Sequence, residues 1–377
     1  MLIKQQLETE EKLKILSRDS QDDLACACAT DKDEHRKRSK DGKWIYPVTM
    51  QDGRTTYLFK TLLSNVCVND CKYCPLRANR DPIRCSLKPE EAAKTFLDYY
   101  ESGRVSGLFL SSGLLGTPDN TMAAINSTAE ILRKKNFRGY IHLKVMPGAS
   151  DAAVERAVSL ASAVSLNIET AGAEHFGKLS ERKDYMKDVI RPIKLISSLT
   201  AKGSRYERVK QTTQFIVGAA DETDKEIVQY SWGLYRRLGM DRVYFSAYQR
   251  GLGEPGIPGE NSSRGNEELL MREHRLYQTD WLIRKYGFNE AEIPFDANGN
   301  LRTDADPKEA WAMAHPEFFP VNVNRADRNQ LLRVPGLGYF TVDFILSARR
   351  NGVRLNSIFS LGKLGKRLDK ASRYINF

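Results

Sequence analysis

Between Thr55 and Tyr248 the chain alternates short apolar runs with longer helical stretches, and this alternation limits its fold more than any single residue does. Strands are expected at residues 57–63, 105–110, 140–145, 164–168, 212–217 and 242–247. Helices are expected at 89–101, 119–135, 151–162, 184–199 and 224–238, each following a strand. Such a series implies an α/β fold with parallel strands and right-handed crossovers. Periodicity alone leaves an open doubly wound sheet and a partial barrel both possible. In either case the chemistry gathers at the carboxyl ends of the strands, which marks the loops to inspect.

The loop after the first strand carries Cys67, Cys71 and Cys74 in a C-x3-C-x2-C spacing, with Tyr73 just before the third. Half of the six cysteines lie there. Thiolates are soft ligands for zinc or iron–sulfur clusters. A structural zinc site closes with four protein ligands, and no second CxxC or HxxxH stands near; His35 and Cys85 would serve only if the fold brought them in. Three thiols on a [4Fe–4S] cluster would leave one iron open. Cys26 and Cys28, in Ala-Cys-Ala-Cys-Ala, are either small apolar loop residues or a second metal or redox site.

No apolar run approaches the roughly 18 residues of a membrane span, and the charged N-terminus reads as a helix rather than a signal peptide. With few, clustered cysteines this points to a reducing cytoplasm and no membrane. Of the net charge of +10, +8 lies in residues 321–377, which hold eleven Lys and Arg against three Asp and Glu. A basic terminus of this kind is the electrostatic footprint of nucleic-acid binding. Within it, two helical stretches flank Pro335-Gly336-Leu337-Gly338. Glycines let a phosphate approach the backbone, and free N–H groups at the start of the second helix favour an anion; Arg333, Arg349 and Arg350 add charge. The competing reading is a helical cap that only packs on the larger domain.

The cysteine loop resembles the signature of the radical S-adenosylmethionine (SAM) enzymes, and 335–338 with its flanks resembles a helix-hairpin-helix. Together with the 272–278 stretch, these features resemble the radical SAM group with a C-terminal helix-hairpin-helix, described as DNA modification or repair proteins and linked to a uracil-DNA-glycosylase-like partner. The resemblance implies a partial (β/α)6 barrel at 55–287, an N-terminal extension at 1–54, a connecting segment at 288–320 and a small all-helical domain at 321–377. It implies a [4Fe–4S] cluster on Cys67, Cys71 and Cys74 and an electron donor such as flavodoxin or ferredoxin. SAM would be cleaved to a 5′-deoxyadenosyl radical that acts on nucleic acid, DNA rather than RNA.

The SAM contacts that the resemblance implies are Tyr73, Ser112, Gly113, Glu169, Lys183, Gln214, Val217 and Gly218. Tyr248 and Arg250, at the end of the sixth strand, are candidates to face the substrate. Residues 251–265, rich in glycine, are expected to form a loop over the barrel mouth. Two other readings stay open: the same chemistry on tRNA or rRNA, and a noncatalytic iron–sulfur protein that binds nucleic acid or senses redox state.

Overall fold

A computed structural model of the protein describes residues 7–20, 44–49, 54–362 and 365–377. Cys26, Cys28 and His35 lie outside them. The chain divides into two compact units, one of residues 1–222 with 233–270 and the other of 223–232 with 271–377.

The first unit is built on one seven-stranded sheet whose strands follow the order of the chain: β1 (Ile45–Thr49), β2 (Thr55–Leu62), β3 (Gly107–Ser111), β4 (Tyr140–Lys144), β5 (Ala163–Ser165), β6 (Lys210–Val217) and β7 (Arg242–Ala247). β2 to β7 are parallel, and β1 pairs antiparallel with β2. The two edge strands, β1 and β7, do not pair with each other, so the sheet is an open partial barrel of the expected α/β class. β1 was not expected: five residues containing a proline give no period-two pattern, and the strand lies at the sheet edge, where proline is tolerated.

Helices α1 (Thr9–Asp19), α2 (Pro89–Glu101), α3 (Pro118–Lys134) and α4 (Asp151–Leu160) start on local signals. Pro89 and Pro118 occupy first-turn positions, and Thr117 and Ser150 cap α3 and α4 through their hydroxyls. Phe59 of β2 packs edge-on against Phe96 of α2, which meets Phe137, and all three are buried. β6 is buried from Gln211 onward, as a parallel strand covered on both faces should be.

Between β5 and β6 an unexpected helix, α5 (Ala173–Leu179), comes first, and the helix expected at 184–199 is a π-helical turn at Tyr185–Ile190 followed by α6 (Arg191–Leu199). Lys183 stands just before the π turn. Then come α7 (Asp224–Leu238), whose first nine residues belong to the second unit, α8 (Pro258–Asn261), which gives the glycine-rich stretch one short helix, and α9 (Asn266–Lys285).

The second unit contains α10 (Pro307–Ala314), α11 (Arg328–Arg333), α12 (Tyr339–Arg350) and α13 (Lys366–Ser372) around fully buried Val323, Leu331, Val334, Val342, Ile345 and Ala371. It is not all-helical as expected. Two-residue strands β8 (Val321–Asn322) and β9 (Ile375–Asn376) pair in parallel, a signal too short for periodicity to carry. Arg272 and Glu273 are buried, and Arg272 pairs with Asp224 at 2.5 Å, so the 272–278 stretch contributes packing.

Candidate active site

Cys67, Cys71 and Cys74 line one cavity in the first unit, beyond the carboxyl end of β2, together with Tyr73, Ser112, Gly113, Glu169, Lys183, Ile216 and Tyr248. Backbone bonds give the loop its shape: Cys74 N–H to the Cys71 carbonyl at 2.8 Å, and Leu76 N–H to Cys74 Sγ at 3.4 Å. Arg84 staples the loop, donating to the carbonyls of Asn65, Leu76, Arg77 and Arg80. Arg77 ties it to the glycine-rich segment, donating to the Cys74 carbonyl at 2.9 Å and the Leu252 carbonyl at 2.8 Å. Neither arginine was legible as a site residue, because loop arginines at irregular spacing look like solvated charge.

Asp70 fixes the loop to the segment bearing Lys183. It accepts from Ser180 Oγ at 2.5 Å and from the N–H groups of Glu181 and Arg182 at 2.7 and 3.1 Å, while Lys72 N–H reaches the Leu179 carbonyl at 2.8 Å. Partial burial pushes its carboxyl up, but the Ser180 hydroxyl and the two N–H donors outweigh that and hold it below the usual range. Lys183 consequently faces the thiols, its ammonium also 5.1 Å over the Phe176 ring. Burial lowers its affinity for a proton, yet the Cys71 and Glu169 charges raise it overall, so the lysine stays cationic. Burial pushes the Cys71 thiol up.

Glu169 is buried with a φ of +68°, left-handed for a non-glycine residue. That conformation costs roughly 1–2 kcal/mol and is held by two bonds to β6: Glu169 N–H to the Gln214 carbonyl at 3.1 Å, and Ile216 N–H to the Glu169 carbonyl at 2.7 Å. Tyr73 is driven well above its usual range, by burial first and then by the Glu169 charge. Gly113 is required sterically, since a Cβ there would lie 2.4 Å from the Val66 carbonyl oxygen. Beside it the Ser112 hydroxyl is buried with no hydrogen-bond partner among the described residues, a polar group at the cavity wall.

Several expected SAM contacts are placed elsewhere. Val217 does not line this cavity, and its neighbour Ile216 does; on a strand, adjacent residues face opposite sides, so the expectation was one residue out of register. Gly218 is turned to Glu222, whose Oε1 accepts its N–H at 2.8 Å, and Gln214 lines a second cavity inside the barrel. Tyr248 does line the site, but its hydroxyl donates to Glu260. Glu260 also accepts the N–H groups of Gly251 and Gly253 at 2.8 and 3.0 Å, so it organises the glycine-rich loop. Arg250 is exposed and reaches the Glu260 carbonyl at 3.1 Å, outside the cavity. Tyr248 therefore positions the loop, and Glu260, like Arg77 and Arg84, is a residue that sequence reasoning missed.

The donor set fits an iron–sulfur cluster with an open position. Three thiols line the cavity and, among the described residues, no fourth Cys or His does; Cys85 is buried apart, its thiol 3.9 Å from the Lys12 carbonyl. Among the described residues no three His, Cys, Asp or Glu side chains converge as ligands of a single ion. A cluster takes each thiolate on a different iron and needs no such convergence.

The family model of the Radical SAM superfamily matches residues 61–230, which run from the end of β2 through the cysteine loop and β3 to β6 into α7. A radical SAM domain is present. Radical SAM proteins use a [4Fe–4S] cluster and SAM and need an electron donor, and the domain makes this chain an enzyme. Solved structures similar to it include the FeFe-hydrogenase maturase HydG from Carboxydothermus hydrogenoformans, at 16% identity over 60% of this chain and 51% of that one with a TM-score of 0.46. Methylornithine synthase PylB is similar at 16% identity, over 59% and 63%, with a TM-score of 0.43. Streptococcus suis SuiB is similar at 14% identity, over 72% and 54%, with a TM-score of 0.44. This chain thus spans about half to three-fifths of the length of these structures. No curated protein matches.

In the second unit the Pro335-to-Gly338 turn joins α11 to α12. Gly336 has a φ of +86°, and a Cβ on it would lie 2.0 Å from the Arg367 carbonyl oxygen, so this glycine is fixed by packing against α13. Gly338 is the N-cap of α12 and gives it no side-chain cap. Arg333 is turned inward: it pairs with Glu292 at 2.6 Å and lies over the rings of Phe288 and Trp311, 4.7 and 5.5 Å away. Arg349 donates to the Ala326 carbonyl. Arg350 is exposed. Lys308 is buried, donates to the Leu337 carbonyl at 2.6 Å, and is pushed down to about 7 by burial.

Proposed function

We propose that the protein is a radical SAM enzyme acting on nucleic acid, as a DNA modification or repair enzyme. When bound, the cluster and SAM together supply a 5′-deoxyadenosyl radical by reductive cleavage, the hard chemistry that a cofactor carries. The chain positions the reactants. Lys183 offers an ammonium to the SAM carboxylate, the Ser112 hydroxyl offers a polar contact, and Ile216 gives an apolar wall. The glycine-rich loop held by Glu260 and Tyr248 limits water at the mouth.

The observation that carries the nucleic-acid reading is the Pro-Gly-Leu-Gly turn, which opens α12 without a side-chain cap inside the basic C-terminal stretch. Free N–H groups in a basic setting favour a phosphate without reading bases. With Arg333 turned inward, the supporting charge rests on exposed cations such as Arg350, Lys366 and Arg367. A uracil-DNA-glycosylase-like partner belongs to this reading and is tested by co-purification of the full chain. The substrate test is mass spectrometry of nucleosides from duplex DNA, single-stranded DNA and tRNA incubated with reduced, reconstituted protein and SAM. A mass change confined to DNA is expected. A change confined to tRNA would move the substrate to RNA, and none in any would overturn the reading.

A further inference from the structure

Barrel interiors are ordinarily filled by branched apolar side chains; here the lumen is a cavity of about 570 Å³ with polar and aromatic walls. It meets the cysteine cavity at Lys144 and Asn167, which line both. Its size falls within the roughly 300–1,000 Å³ of small-molecule sites.

Three properties of the lining define what it would take. The first is charge: Lys60 and Lys144 line it, and no Asp or Glu is among the described lining residues. Lys60 is 4% exposed, its ammonium 5.1 Å from the centre of the Phe109 ring. The second is flatness, since Phe109, Tyr140 and Tyr244 give ring surfaces on the walls. The third is an unmet hydrogen bond. Gln214 is 5% exposed, and its Nε2 is buried with no partner among the described residues. An unsatisfied buried amide donor costs about 1–3 kcal/mol, which a ligand's acceptor would recover. Gln214 is also tied to the radical site, because its carbonyl accepts the Glu169 N–H.

We infer that the lumen binds a nucleotide, a flat hydrogen-bonding ring joined to a phosphate. Lys60 and Lys144 meet the anionic group, and Gln214 meets an acceptor on the ring edge. The anionic, planar chemistry is read from the lining; the choice of nucleotide rests on the nucleic-acid reading above. A free mononucleotide and a nucleotide extruded from a strand share this chemistry.

The test uses the full chain, anaerobically reconstituted with its cluster and saturated with SAM, titrated calorimetrically with the 5′-mononucleotides, the matching nucleosides and short single strands. At least one mononucleotide should bind, and its nucleoside should bind at least about tenfold more weakly. Gln214→Leu should weaken that binding about tenfold while leaving thermal stability equal or higher, because it removes an unpaired buried donor. Lys60→Met should weaken the nucleotide more than the nucleoside. Tighter binding of a strand than of its mononucleotide would assign the site to an extruded nucleotide, and equal binding to a free one. No mononucleotide binding, or binding indifferent to Gln214→Leu and Lys60→Met, overturns the inference even if strands bind and are modified. If mononucleotides bind through these residues and no strand does, the inference stands and the nucleic-acid reading fails.

Discussion

The cysteine cavity and the Pro-Gly-Leu-Gly turn are both glycine-lined and close to positive charge, but they dispose of that charge in opposite ways. In the first unit Asp70 spends its bonds on the 180–182 segment, and the result is a lysine, Lys183, aimed at the thiols. In the second, two cations near the turn are drawn into packing: Arg333 onto Glu292 and two aromatic rings, and Lys308 onto the Leu337 carbonyl. Net charge in a sequence stretch is thus an upper bound on the charge it offers a ligand. What separates the two is the partner each charge finds, which only the fold decides.

The contrast is broken most severely at the thiols. Replacing any one of Cys67, Cys71 or Cys74 by Ser should abolish cluster retention, read as iron and sulfide per chain after reconstitution, with the fold retained by circular dichroism. Next, Asp70→Ala should release the 180–182 segment and weaken SAM binding about tenfold, through the loss of the three charge-assisted bonds that hold Lys183 in place. If SAM affinity is unchanged, Lys183 is not positioned by Asp70. Because the Asp70 carboxyl is held below its usual value, its contribution is present above the ordinary carboxylate range and fades as pH falls through the lowered value.

In the second unit the effects fall on stability. Lys308 holds a proton near pH 7 when folded against 10.5 ordinarily. Between those values the unfolded chain binds the proton and the folded one does not, so stability should rise with pH from 7 toward 10, by at most about 1.4 kcal/mol per pH unit. Lys308→Met should flatten that rise, measured by denaturant midpoints at pH 7 and 9.5. Arg333→Ala should cost about 1–2 kcal/mol of stability through its ion pair and ring contacts, with the salt dependence of DNA binding unmoved. Arg350→Ala should do the reverse, leaving stability within about 0.5 kcal/mol and lowering the salt slope by about 1. Equal salt slopes for the two variants would show that the arginine exposed on α12 carries no phosphate contact.

Most of the strand and helix order from β2 to β7 was legible because short, largely apolar strands alternate with longer helical stretches; the edges of β7, α2 and α7 agree residue for residue with expectation. The cysteine loop was legible because short loops carry their own ligands. Residues that shape the site by gathering loop backbone groups were not. Arg84 and Glu260 act through backbone groups brought near by folding, and nothing in their neighbours' identities announces it. The resemblance implies an apolar wall at Val217, but Ile216 is apolar too, and only the sheet's parity separates them. Glu169 was found as a polar strand end, whereas its left-handed backbone, fixed by β6, has no local sequence signal.

The most direct measurement is 5′-deoxyadenosine release from the full chain with its cluster fully loaded and reduced by dithionite, in the presence of SAM with and without DNA. The account predicts release that depends on all three cysteines and rises when DNA is added. Absence of 5′-deoxyadenosine from a loaded, reduced cluster would contradict it.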